Sequence, residues 1–428
     1  MAKAGEHDST GSLSAYQHAL RLEPNYLPAL EGAAHMEFQM GKDARPILTK
    51  ILEQRPDDQV SHMLLGILDA RKNDCSGALK HFSQSTPVMA HQPEALTGNG
   101  ICLAHLNRYK EAVTAFAAAL ELDPGSALAR YNLALAQFNA HDPNGALDTL
   151  EPLVSASPGH PDALALAAQI EESKGDTAQA VKLLRSALLA DPNDLSAYLQ
   201  FAMLSFDHAS PQVGVDILSA GISQMPNEPR LYLVRGILLA QLGEFTRAAD
   251  DLNTASRIDP QLEFVGVAQG LVQSQKHDPK EALAKFRAAV RAHPNEAYGH
   301  FLLAEALSEE GKPAGDPDYK EEIDEATRAV QLNPHLVEAR DLLATAYLES
   351  GRMKLAIKES RAALADNPKD EQAIYHLILA LRRTGQNQEI SPLLKQMVAL
   401  QTNSAVNRSP AKKYRLYVQQ PSADGALP

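Results

Sequence analysis

The chain has 428 residues, of which 44% are hydrophobic, and a formal net charge of −13. The acidic balance disfavours nucleic acid as a partner, because binding DNA or RNA needs clustered lysine and arginine. No run of about 18 apolar residues occurs, so direct membrane insertion is not expected.

The first residues of the chain carry little structural signal. Residues 1–11 are small and polar, and we predict that they are disordered. Residues 13–23 show helical spacing and are closed by Pro24, like the second helix of a hairpin whose first helix is missing. Either a lone helix caps the array, or the chain is a fragment of a longer protein, which is the interpretation that we favour. Without a secretory signal the expected compartment is the cytoplasm, and the periplasm stays an alternative if the N-terminus is truncated.

From Pro124 onward the chain repeats every 34 residues. A proline closes each block, and the step is 40 only once, which places a six-residue insertion near residues 312–318. Each block reads as two short amphipathic helices with a break between them, as in Leu231–Leu242, Gly243 and Phe245–Ile258. One such hairpin cannot bury both of its apolar faces, so it needs a copy on each side. The prolines of the repeat are Pro124, Pro158, Pro192, Pro226, Pro260, Pro294, Pro334 and Pro368.

Small residues recur with the same step where two helix backbones must approach closely. On the first helices they are Gly66, Gly100, Ala134, Ala168, Ala202, Gly236, Gly270, Ala304 and Ala344. On the second helices they include Ala78, Ala112, Ala146, Ala180, Gly214, Ala248 and Ala282. Asp142 and Asp278, each followed by proline, are predicted to cap second helices.

The period and these columns resemble the tetratricopeptide repeat (TPR) family over residues 12–400. One well-matched block carries Tyr232, Gly236, Phe245, Ala248, Ala255 and Pro260 in the key positions of that family. The resemblance implies an all-α fold, a right-handed superhelical solenoid of antiparallel helix hairpins, with an orphan helix and about eleven hairpins. Residues 401–428 leave the pattern and are predicted to be a flexible tail. Within them, residues 412–418 alternate basic, aromatic and apolar side chains, and we favour a solvated tail over a docking motif.

We find no catalytic signature, and the scattered histidines have no metal-ligand spacing. His141 and His277 occupy equivalent turn positions rather than a shared site. Cys75 and Cys102 match no metal or redox motif and are interpreted as small packing residues. The chain is therefore not expected to be an enzyme, and no cofactor or metal is expected.

In the family that this chain resembles, the first helices line a concave face along which partners lie. Carried over, the resemblance implies a groove that binds an apolar or amphipathic polypeptide segment, since large apolar surfaces usually mark interfaces. The alternative is that some of these side chains pack, half-buried, between successive first helices. The groove residues are Leu128, Tyr131, Leu135, Phe138, Leu199, Met203, Phe206, Leu233, Ile237, Phe264, Val267 and Leu271.

Toward its C-terminal end the same face turns acidic, at Glu305, Glu309, Glu338, Asp341 and Glu349. Such residues would favour basic flanks in a partner. Some proteins of this family hold a partner's terminal carboxylate with Lys, Asn and Arg in these columns. Only Asn132 fits that pattern here, beside Thr97, Ile101, Asp162 and Leu166, so such a clamp is not expected.

The sequence predicts a scaffold or adaptor for a protein or peptide partner. Two alternatives remain open. The chain is a structural, self-associating subunit of a larger assembly, such as one in the cell envelope, or it is the non-catalytic specificity module of an enzyme.

Overall fold

The computed structural model describes residues 9–403 of the chain, and side chains within residues 10–400. Within that range all regular structure is helical, so the predicted all-α array of helix hairpins is confirmed. Residues 9–11, which we predicted to be disordered, form the start of the first helix. Residues 1–8 and 404–428 lie outside the described residues, and with them lies the segment 412–418.

Internal contacts divide the chain into two compact units, the first ending at Ala197 and the second beginning at Tyr198. The first unit contains α1 (Ser9–Leu22), α2 (Leu27–Gln39), α3 (Arg45–Gln54), α4 (Gln59–Arg71), α5 (Cys75–Ser83), α6 (Thr86–Met89), α7 (Pro93–His105), α8 (Tyr109–Leu122), α9 (Ala127–Asn139), α10 (Pro143–Val154), α11 (Pro161–Ser173), α12 (Thr177–Ala190) and the first residues of α13 (Leu195–Asp207).

The second unit contains the rest of α13 and eleven further helices. They are α14 (Pro211–Gln224), α15 (Pro229–Gln241), α16 (Phe245–Ile258), α17 (Val265–Gln275), α18 (Pro279–Ala292), α19 (Ala297–Glu309), α20 (Pro317–Leu332), α21 (Val337–Glu349), α22 (Met353–Asp366), α23 (Glu371–Arg383) and α24 (Ile390–Asn403).

A residue with left-handed backbone lies in the turn of every hairpin, from α2–α3 to α23–α24. Glycine fills six of these turns, because it adopts positive φ without steric cost. Asparagine, histidine or alanine fills the others, and His141 and His277 are two of them, with φ of 67° and 59°. Both histidines therefore serve the turn, as their equivalent positions in the repeat predicted. The turn residues are Gly41, Asn73, Asn107, His141, Gly175, Ala209, Gly243, His277, Gly311, Gly351 and Gly385.

The small residues of the repeat lie between packed helices, as predicted. Ala112 and Ala134 are fully buried, and the Gly100 position faces the Phe116 ring. A Cβ atom added at Gly100 would lie 2.6 Å from that ring, which leaves no room for a side chain. The small side chains at these repeat positions therefore determine how closely the two helices of a hairpin approach each other.

In the part of the chain that the structure describes, an aspartate side chain caps the start of five second helices, α5, α10, α12, α18 and α20. The Asp142 carboxylate accepts a hydrogen bond from the Gly145 amide at 3.0 Å, and Asp278 accepts from Glu281 at 3.2 Å. Both predicted caps are thus present, and each satisfies an amide that the helix itself leaves unpaired.

The insertion is shared between a turn and a helix. We predicted a longer turn near residues 312–318, but α20 begins at Pro317 and has 16 residues, against 14 in α18. The start of the lengthened helix is anchored, because Asp318 and Glu321 pair with Arg287 at 3.0 and 2.5 Å. In addition, the Tyr319 hydroxyl donates to the Ala346 carbonyl at 2.6 Å.

The two cysteines form a disulfide, which corrects our interpretation of them as packing residues. Cys75 begins α5 and Cys102 lies on α7, with their Cα atoms 4.8 Å apart. Both side chains are buried. The bond joins two successive hairpins, and nothing in the spacing of 27 residues indicated it.

Candidate partner-binding surface

First helices of successive hairpins contact one another inside each unit. In the first unit α9 contacts both α7 and α11, and in the second unit α21 contacts both α19 and α23. Each unit therefore presents a face built from first helices, which is where the sequence placed the binding residues. The two faces are described separately below.

In the first unit, four apolar residues lie on one side of α9. Leu128 is 49% exposed, while Tyr131, Leu135 and Phe138 are half-buried. Their spacing of three, four and three residues keeps them on one side of a helix. We call these four residues the α9 surface. Ile101 of α7 is half-buried and packs against the hydrophobic cluster that contains Leu133 of α9.

Polar groups beside the α9 surface are bound by their own helices. The Asn132 side-chain amide donates to the Leu128 carbonyl at 2.9 Å, and the Thr97 hydroxyl donates to the Pro93 carbonyl at 2.8 Å. Burial and the charge of Asp162 raise the pKa of the Tyr131 hydroxyl, which keeps this group neutral at physiological pH. The site thus combines apolar surface with one exposed carboxylate, Asp162, and lacks the cationic groups of a carboxylate clamp.

In the second unit, most of the predicted groove residues are covered by the protein itself. Leu199, Met203 and Phe264 are half-buried. The other five are at most 7% exposed, and they lie on α13, α15 and α17. They are Phe206, Leu233, Ile237, Val267 and Leu271. At these five positions the packing alternative describes the side chains better than an open groove does.

The predicted acidic columns also differ in burial. Glu309, Glu338 and Glu349 are exposed and Glu305 is half-buried, whereas Asp341 is only 6% exposed. Within the described residues no group of three or more His, Cys, Asp or Glu side chains could hold a metal ion. Over the same part of the chain, no helix is both long and apolar enough to cross a membrane.

Sequence models of the tetratricopeptide repeat family match residues 63–127, 103–170 and 138–204. The chain is a TPR protein. A model of the bacterial transcriptional activator domain matches residues 264–390 of this TPR protein. TPR proteins act as protein-interaction scaffolds, which supports the coarse functional class predicted above.

Relatives of this TPR protein are longer chains. Protein O-mannosyl-transferase TMTC3 of Homo sapiens is 22% identical over 335 residues, which is 77% of this chain and 32% of the relative. The tetratricopeptide repeat and J domain-containing co-chaperone DNJ1 of Cryptococcus neoformans is 26% identical over 37% of this chain and 32% of its own. Cellulose synthase operon protein C of Pseudomonas fluorescens is 29% identical over 39% of this chain and 13% of the relative. The chain therefore spans about a third or less of these relatives.

Solved structures resemble this TPR protein at low identity. Yeast Tom70 is 14% identical, with 96% of this chain and 91% of that chain covered and a TM-score of 0.48. YrrB, described as a TPR protein with an unusual peptide-binding site, is 20% identical, with 44% and 95% covered and a TM-score of 0.37.

Proposed function

We propose that this TPR protein is a non-catalytic interaction scaffold whose α9 surface binds the apolar side of a polypeptide segment. One observation supports the proposal above the others. A continuous apolar strip on a first helix is formed by Leu128, Tyr131, Leu135 and Phe138. Leu128 is the most open of the four, at 49% exposed. Apolar side chains that are left open on one face usually mark a site of association.

The strip is large enough to contribute measurable affinity. Completing the burial of a half-exposed leucine contributes roughly 1 kcal/mol, since full burial is worth about 1.5–3 kcal/mol. Tyr131 adds an aromatic surface whose hydroxyl lies near the Asp162 carboxylate. Asp162 would favour a segment with a lysine, an arginine or a free amide N–H next to its apolar residues.

A phage-displayed library of random peptides of about 16 residues, selected on the intact protein, tests the proposal. We expect the selected peptides to be rich in apolar residues, as amphipathic groove ligands are. Affinities are then measured by fluorescence polarisation with synthetic copies of the selected peptides. Leu128→Ser and Tyr131→Ser should each weaken binding by about tenfold, which corresponds to roughly 1.4 kcal/mol.

Leu122 provides a matched control, because it is 44% exposed on the last turn of α8 and is not part of the strip. Leu122→Ser removes a leucine of similar exposure and should leave the affinity unchanged. Selection of no peptide, or equal losses in the Leu122 and Leu128 variants, would rule out the α9 surface as the site. Sedimentation of the unliganded protein at several concentrations tests the alternative, self-association. Dimers that Leu128→Ser dissociates would show that a second copy occupies the strip.

A further inference from the structure

Three carboxyl groups come together in the second unit, where α21 and α23 contact each other. Glu338 and Asp341 lie one turn apart on α21, and Asp370 is the N-cap residue of α23. Asp341 hydrogen-bonds to Asp370, and its environment also includes the charge of Glu338. We call Glu338, Asp341 and Asp370 the carboxyl cluster.

The carboxyl cluster has no cation of its own among the described residues. The adjacent Arg340 points elsewhere, because its Nη1 pairs with Glu359 at 2.8 Å and its Nε and Nη2 donate to the Pro334 carbonyl. The Asp370 carboxylate instead accepts the backbone amides of Gln372 and Ala373 at Oδ1, at 2.9 and 3.0 Å, and the Asn367 side-chain amide at Oδ2, at 3.3 Å. These bonds hold the Asp370 carboxylate in place but leave its charge unpaired.

Two enclosed acceptor atoms at this point lack a hydrogen-bond donor. They are Oδ1 of Asp341, a residue only 6% exposed, and Nδ1 of His376. The Thr345 hydroxyl donates to the Asp341 backbone carbonyl at 3.0 Å and lies 3.1 Å from Nε2 of His376. Since that hydroxyl has one proton, Nε2 must donate to it, and Nδ1 is left as a bare acceptor.

The protonation states agree with this arrangement. Burial, together with the charges of Asp370 and Glu338, raises the pKa of Asp341 to about 8, so at neutral pH Asp341 holds a proton. Burial lowers the pKa of His376, although Asp370 acts in the opposite direction, so the imidazole is neutral. In the unbound site, therefore, a proton neutralises Asp341. A bound cation would neutralise the same carboxylate in place of that proton.

We propose that the carboxyl cluster receives the guanidinium group of an arginine from a basic partner polypeptide. A guanidinium carries five N–H donors in one plane, which suits two carboxylates and a bare imidazole nitrogen. On binding, Asp341 releases its proton to solvent, turns its enclosed oxygen outward and pairs with the arginine. Glu338 is exposed at the entrance, and Tyr375, 52% exposed on α23, offers a ring for stacking.

This site lies in the second unit and is independent of the α9 surface, so either proposal can fail alone. The probe is a fluorescein-labelled peptide in which arginines alternate with glycine and serine, titrated into the full chain at pH 7. The lysine version of this peptide should bind more weakly, and the glutamine version should not bind. Asp341→Asn should weaken binding of the arginine peptide about tenfold, since hydrogen bonds to charged groups are worth about 1.5–3 kcal/mol.

Asp324→Asn is the matched control, because it removes one exposed negative charge from α20, a second helix that carries no residue of the acidic face, and should change the affinity less than about twofold. Calorimetry in two buffers of different ionisation enthalpy should show about one proton released by the wild type and none by Asp341→Asn. A structural role of Asp341 would not produce that proton release.

Three results would overturn the proposal. They are equal affinity of the wild type and Asp341→Asn, binding without proton release, and equal losses in the Asp341 and Asp324 variants. The chain's own Lys412, Lys413 and Arg415, which lie outside the described residues, are the competing occupant. If replacing all three with serine tightened binding of the probe, the chain itself would occupy the cluster, and assignment to a partner would be wrong.

Discussion

Reducing the Cys75–Cys102 disulfide should loosen one part of the first unit. The bond closes a loop of 27 residues that contains α5, α6 and most of α7. Opening a loop of that size returns conformational entropy to the unfolded chain that is worth about 3.5 kcal/mol at 25 °C. Because each hairpin of a repeat protein contacts only its neighbours, most of this loss should be local.

Hydrogen exchange followed by mass spectrometry measures the effect, with and without a phosphine reductant under native conditions. Amides of α5 and α7 should exchange up to about 300-fold faster after reduction, since each 1.4 kcal/mol corresponds to a factor of ten. Amides of α15 and α16, in the second unit, should not change. The mass of the intact protein, which rises by two hydrogens on reduction, confirms the state of the bond.

A Cys75→Ala, Cys102→Ala double variant is the control, because its exchange should not respond to the reductant. Equal exchange in the oxidised and reduced wild type would refute the entropic reasoning. Recovery of two free thiols after oxidative refolding would show that the cysteines do not form the bond at all.

Three further predictions concern stability. Asp251→Ala should cost about 2 kcal/mol in urea unfolding, because it leaves the half-buried Arg235 guanidinium without its buried bidentate partner at 2.7 and 2.8 Å. Arg235→Met with Asp251→Leu should recover most of the loss, and a cost below about 0.5 kcal/mol would contradict this. Gly100→Ala should destabilise by about 1–3 kcal/mol through overpacking, whereas Gly98→Ala on the same helix meets only ordinary contacts at 3.5 Å and should be neutral or stabilising. Burial raises the pKa of Glu296 from 4.5 to about 7, so the folded state binds this proton more tightly, and its contribution is complete below pH about 4 and is lost as pH rises through 7. Unfolding free energy should therefore fall with pH by up to roughly 1.4 kcal/mol per unit in that window, and Glu296→Gln should flatten the profile.

Part of the candidate site could be predicted from the sequence. Leu128, Tyr131, Leu135 and Phe138 share one side of a helix because helical spacing alone puts them there. Whether a side chain on that side is exposed to solvent depends on contacts with the neighbouring first helices. The spacing of residues within one helix does not predict those contacts. Leu135 is half-buried, but Ile237, which occupies the equivalent position three repeats later, is only 3% exposed.

Other features depend on residues that are distant in the chain. The short helix α6 lies between two hairpins, where the repeat predicted only a connection. The bare acceptors of Asp341 and His376 arise because residues about 30 positions apart meet across two helices. The local sequence does not predict such a contact, because each of these residue types is common in helices.

The repeat, the order of the hairpins and the turn in each one can all be predicted from the amino-acid sequence. These features follow from local chemistry: the helical period, small residues at close approaches and residues that tolerate positive φ at turns. Three features could be found only from the folded chain: which apolar side chains of the first helices stay exposed, the bond between Cys75 and Cys102, and the burial of Asp341 beside Asp370. Those outcomes depend on how successive hairpins pack, and packing is set by pairs of residues that a repeating pattern does not link.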